Sequence, residues 1–194
     1  MALWGASDAD ESKPKNLTTA EKKEVFATAS GWVREAGSTL SGNGNVNADP
    51  EVLVAISGLA VSIGAADVTE VEWITTTADK SAGFTLSIRV RYNEAVTVTG
   101  NPTLAVTNGN QGTGSGRGPH TLVYASGTGT NELVFSLAIA AANAATNADD
   151  ILVVGAQNIA LAGGTLKDTG TTTNSAVAIS AAQGTACGSI TVVA

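Results

Sequence analysis

Side chains able to do chemistry are few in this chain, and they are scattered. Its one histidine, His120, ends the stretch Gly-Ser-Gly-Arg-Gly-Pro-His. A hydrolytic triad needs a histidine held in place by packing and by a carboxylate. A glycine-rich loop offers neither, so His120 is expected at the surface. The one cysteine, Cys187, sits in Gly-Thr-Ala-Cys-Gly and has no second thiol to pair with. A single histidine and a single cysteine cannot make a zinc site. Cys187 is expected to be a small turn or core residue. Gly112-x-Gly114-x-Gly116-x-Gly118 has the glycines of a phosphate-binding loop, but Gly-Lys-Ser/Thr and a following helix are missing. It reads as a hairpin tip able to carry contacts. Glu70 and Glu72 share one face of an alternating segment; a glycosidase would need such a pair in a cleft. Asp79, Asp149 and Asp150 fall in turns and match no EF-hand spacing. Turn capping is their plain reading, and a calcium site at one end of a β domain is their functional one. No catalytic set emerges, so the chain is not expected to be an enzyme.

Lys13, Lys15, Lys22, Lys23 and Arg34 make the N-terminal segment locally basic in a chain whose net charge is −7. One reading is a solvated helix face. The other is a docking arm that lies on an acidic partner protein. Trp4, so near the terminus, favours docking, because an exposed tryptophan in a tail is best accommodated in a pocket. Trp32 is grouped with it. The overall acidity disfavours nucleic acid and anionic membranes as partners. No stretch reaches the roughly 18 apolar residues of a membrane span, and the N-terminus lacks the apolar run of an export signal.

Only 14% of residues are charged, against roughly 25% in an average soluble domain. Glycine, threonine, serine, alanine and valine take their place. This composition suits short strands, tight turns and an environment outside the cell. A particle component fits it, since such a protein is made in a reducing cytoplasm and acts outside after release. A fragment of a long secreted adhesin is the alternative.

Residues 1–17 read as extended. Thr18-Thr19-Ala20-Glu21 has capping-box spacing, which predicts a helix from about Thr19 to Ala29 with Val25 and Phe26 inward. Gly31 stops it and Trp32-Val33 begins a strand. Glu51 to Ile56 reads as a strand, continuing through Leu59 to Ile63. Beyond residue 66, short strands recur with turn signals between them. The clearest is Phe84 to Tyr92: Phe84, Leu86, Ile88, Val90 and Tyr92 face inward, and Thr85, Ser87, Arg89 and Arg91 outward. Further strands are expected at 95–99, 103–107, 122–125, 132–139, 151–154, 159–161, 176–179 and 190–193.

Two resemblances follow from these strings. Over about residues 1–63, the order MALWG, SKPK-N-LT, EKK-x-VF, GWVR and EVLVAISGL resembles the opening of virion structural proteins of contractile-tailed cyanobacterial phages. Over about residues 66–181, the order FTLSIRVRYNEAVTVTGNPTLAVTNG, TLVYASGTGTNELVF and IALAGGTLKD is similar to the immunoglobulin-like repeats of large bacterial adhesins. The second resemblance implies an antiparallel sandwich without activity of its own. Some members of that family bind calcium at loop ends, for which Asp79, Asp149 and Asp150 are the candidates here.

The expectation is therefore a mostly β protein. A small α+β docking segment (residues 1–65) precedes an immunoglobulin-like antiparallel β-sandwich with a C-terminal strand (residues 66–194). The expected function is that of a capsid decoration protein of a bacteriophage, present in many copies on the virion. It would dock on the major capsid protein through Trp4, Lys13, Lys15, Lys22, Lys23 and Trp32, and its outer domain would touch the host weakly at most. A neck, tail or fibre protein of the same particle and a calcium-dependent adhesin module are the alternatives. Calcium is the one cofactor kept open.

Overall fold

The computed structural model describes residues 13–41, 44–109, 119–143 and 145–194. Trp4 and the Gly112–Gly118 loop lie outside the described residues.

The protein is mostly β. Thr18 caps the short helix α1 (Thr19–Lys23): its hydroxyl accepts from the Glu21 N–H, and the Glu21 carboxylate accepts from the Thr18 N–H at 2.8 Å. The expected helix to Ala29 ends early, because Val25-Phe26-Ala27-Thr28 becomes strand β1 (Val25–Thr28). Branched and aromatic side chains pack better on a pleated surface than against a preceding helical turn. β1 pairs antiparallel with β2 (Gly31–Arg34), and β2 pairs with β3 (Glu51–Ala55). Gly31 has φ +129°, and a Cβ there would lie 2.0 Å from the Val54 carbonyl oxygen, so the position admits only glycine. The expected continuation of β3 is instead a helical turn, α2 (Leu59–Ser62), entered through Gly58 at φ +74°. Leu59 closes a small core with Val25, Ala27 and Trp32.

The remaining elements are β4 (Val68–Trp73), β5 (Ala78–Asp79), β6 (Phe84–Thr99), β7 (Thr103–Gly109), β8 (His120–Ser126), β9 (Thr130–Ile139), β10 (Ile151–Val153), β11 (Gln157–Asn158), β12 (Thr165–Asp168), β13 (Ala178–Ile179), α3 (Ala181–Cys187) and β14 (Ser189–Val193). Among the described residues, twelve strands form one mixed sheet in the order β3-β2-β1-β6-β9-β8-β7-β10-β14-β5, with β4 and β12 also on β6. Its parallel contacts are β1 with β6 and β14 with β5. β7, β8 and β9 form an antiparallel meander and β6 lies beside β9. That spatial order is a Greek key.

β6 organises the molecule. The two strands expected at 84–92 and 95–99 are one, with a register slip between Arg91 and Val96. Its first half lies between β4 and β9, and its second half pairs with β12. Leu86, Ile88, Val90 and Tyr92 are buried as the alternation requires. They share one core with Leu104, Leu122, Phe135, Leu152, Leu166 and Val192. Residues so distant along the sheet can share a core only if the sheet folds over on itself. Arg91 departs from the alternation: expected outside, it is 4% exposed, because the N-terminal segment lies over it.

A candidate docking groove and the charged network beside it

α1 and α3 stand on either side of β4, and a groove of about 520 Å³ lies between them. Lys13, Thr19, Lys22 and Lys23 line it from the N-terminal segment, Thr69, Glu70 and Val71 from β4, and Gln183 and Ala186 from α3. Three of the lysines expected to dock are thus brought together. Lys15 is exposed and does not line the groove. Trp32 does not join them: at 3% exposure it is a core residue beside Leu59, so its surface role is replaced by a packing one. The β2–β1 pairing turns its ring inward.

α3 was not legible as a helix from apolar periodicity. Its signal is Ser180-x-x-Gln183, a capping box of the same kind as that at Thr18. Gln183 does two jobs. Its Oε1 accepts from Ser180, and its Nε2 donates to the Val68 carbonyl at 2.6 Å, which fixes α3 to β4.

Charges differ around the groove. Lys23 is ion-paired to Glu70. Lys13 donates to the Lys22 carbonyl at 2.8 Å, a neutral partner. Among the described residues no carboxylate lies within ion-pair distance of Lys13 or Lys22. Burial, followed by the nearby Arg91 guanidinium, pushes the Lys13 ammonium down to about 8.

Next to the groove lies an ion network that ties the N-terminal segment to the sheet. Arg91 Nη1 donates to Glu35 at 3.1 Å and to the Lys23 carbonyl at 2.9 Å, and its Nη2 donates to Glu72 at 3.3 Å. Nη2 also lies 2.8 Å from Glu132, an ion pair without hydrogen-bond alignment. Arg89 bridges Glu72 and Glu132. Glu70 and Glu72, considered above as a possible catalytic pair, are thus both engaged by cations. Glu35 is pushed up to about 7, first by burial and then by the Glu132 carboxylate, against the pull of Arg91.

His120 is a correction. It is 6% exposed at the start of β8, and its Nε2 lies 3.0 Å from the Thr146 hydroxyl. Its alternation with Leu122 places it on the inner face, a pattern that the preceding glycines obscure. Burial holds the imidazole below its ordinary range, with Asp150 opposing. Thr146 and Asp150 are both 0% exposed, and His120 makes a core hydrogen bond there. Cys187, at the end of α3, has its thiol pushed up to about 11 by burial and by Glu72 and Glu70, which suppresses the thiolate.

The calcium candidates have other employment. Asp79 accepts from Ser81 N–H at 2.8 Å, from the Ser81 hydroxyl at 2.7 Å and from Ala82 N–H at 3.2 Å. Asp150 accepts from Asn147 N–H at 2.8 Å. Asp149 is an exposed turn residue at φ +67°. Among the described residues, no three of His, Cys, Asp and Glu converge where they could hold a metal ion. Thermal unfolding with and without millimolar calcium tests, through the midpoint, whether Asp79, Asp149 or Asp150 takes part in holding the ion. An ion held only by the folded state would raise it.

Comparison of the chain with protein-family models, with curated proteins and with solved structures finds no match.

Proposed function

We propose that this protein is a noncatalytic structural component of a phage particle, a capsid decoration protein whose N-terminal region docks on the major capsid protein. The gathering of Lys13, Lys22 and Lys23 around one groove carries the reading. It concentrates positive charge on a single face of a protein whose net charge is −7. In this reading residues 66–194 are an immunoglobulin-like module turned outward, which the Greek-key order β6-β9-β8-β7 supports. The threonine-rich outer faces of its strands and the core setting of its histidine and cysteine suit a durable surface rather than a catalyst. The resemblance over residues 1–63 supplies the particle.

A neck or tail position uses the same attachment and differs in copy number. The test is binding to purified shells. A protein without residues 1–12 loses Trp4 but none of the contacts described above. It should keep its unfolding midpoint and bind shells more weakly, and adding K13E/K22E, which reverses the charge of the groove, should abolish shell binding. Full occupancy of shells by the truncated K13E/K22E protein would contradict docking through this region.

A further inference from the structure

We propose that the groove between α1 and α3 binds an acidic, partly apolar peptide segment of the protein's docking partner; this rests on the docking reading above. Three observations favour that occupant. First, among the described residues no carboxylate lies within ion-pair distance of Lys13 or Lys22, and the one acid lining the groove, Glu70, is held by Lys23. The half-buried Lys13 faces acids already engaged by Lys23 and Arg91, so a carboxylate brought to it supplies a direct partner, and the exposed Lys22 adds charge beside it. Second, the exposed Ala186 and the aliphatic stems of the lysines add apolar surface, so an aliphatic side chain between two acids has somewhere to rest. The volume is in the range of sites that hold a small ligand or a few residues. Third, Glu35, Glu72 and Glu132 lie beside the groove around Arg91. They would repel a long phosphate backbone more than a short segment whose acids stop at the lysines. The groups facing Lys13 are Arg91, Glu70 and Glu35. A bound carboxylate opposes the burial and Arg91 effects on Lys13, so binding is coupled to retention of its proton and weakens as pH rises past about 8.

The probe is a fluorescein-labelled peptide of alternating glutamate and leucine, with a lysine–leucine peptide as its counterpart, titrated with the full-length protein. The acidic peptide should bind and the basic one should not. K13E/K22E should weaken binding by about tenfold or more, as should filling the groove with Ala186→Trp, while both variants keep the wild-type unfolding midpoint. Equal binding of both peptides, or unchanged affinity in both folded variants, overturns the proposal. So does concentration-dependent self-association that K13E/K22E abolishes, because a second copy would then be the occupant. The same variants are scored on shells. Shell binding that survives in K13E/K22E sinks the groove and leaves the docking reading standing. No shell binding by the wild-type protein sinks the docking reading itself.

Discussion

Glu94→Gln is expected to stabilise the protein at pH 8–9 by about 3 kcal/mol. Glu94 is 1% exposed, and among the described residues neither of its carboxylate oxygens has a hydrogen-bond partner. It sits in the register slip of β6, opposite Ala27 of β1, where the N-terminal segment meets the sheet. The acids facing it are Asp168, itself 1% exposed, and Asp67. Asp168 is committed to its own turn, accepting from Gly170 N–H at 2.6 Å and from the Thr171 hydroxyl at 2.9 Å. Burial first, then Asp168 and Asp67, push the Glu94 carboxyl up to about 8 from its ordinary 4.5. Between those two values the folded protein holds a proton that the unfolded chain has released. Stability therefore falls as pH rises through that window and levels off above it. Glu35 acts in the same direction over the lower part of the window. Glutamine cannot ionise, so the variant should lose most of this slope. Urea midpoints at pH 5, 7 and 9 check it. Parallel pH profiles for wild type and variant would show that Glu94 does not control the alkaline side.

Arg91→Met should destabilise the fold by about 3 kcal/mol near neutral pH. The Arg91 side chain is 5% exposed and serves three carboxylates and the Lys23 carbonyl at once. Its removal leaves Glu35, Glu72 and Glu132 facing one another, with Arg89 paired to Glu72 and Glu132 and Lys13 near Glu35 to offset them in part. Those partners are 22–30% exposed, so water recovers part of the loss. Arg91→Lys should restore little, because an ammonium lacks the fork that reaches several acceptors together. Arg89→Met is the control. At 30% side-chain exposure that residue should cost less than about 1 kcal/mol. The loss at Arg91 should also speed amide exchange across α1, since the Lys23 carbonyl is released. Equal, small effects at both arginines would remove the network from the account.

Much of the β pattern was legible because it follows side-chain alternation. Phe84 to Tyr92 and the hairpin around Gly127–Gly129 follow that period, while the strand at Glu51 was legible as a short apolar run after Pro50. What escaped has identifiable causes. Val25–Thr28 lay within a helical spacing, and only its pairing with Gly31–Arg34 made it a strand. Leu59–Ser62 had a strand's composition, but Gly58 in the left-handed region turned the chain. α3 is short and shows no apolar stripe, and its single sign was Ser180-x-x-Gln183. The site was partly legible. Lys13, Lys22 and Lys23 were identified by charge alone, but Gln183 and Ala186 come from more than 150 residues further along the chain. Trp32 was misplaced because a tryptophan's type does not tell whether it faces a partner or its own core. Arg91 and Glu94 lie on the strand that the pattern read best. Their burial depends on the N-terminal segment, a tertiary fact that no local period contains.

We propose attachment of this protein to a particle head through its N-terminal face. Imaging of purified particles from cells that express it, with copy number measured by quantitative mass spectrometry, tests it most directly. The account predicts many copies, on the scale of the capsid subunits, on the outer head surface, with residues 13–23 toward the shell and β7–β9 toward solvent. Absence from the particles would contradict the account, and so would a few copies confined to the neck or tail.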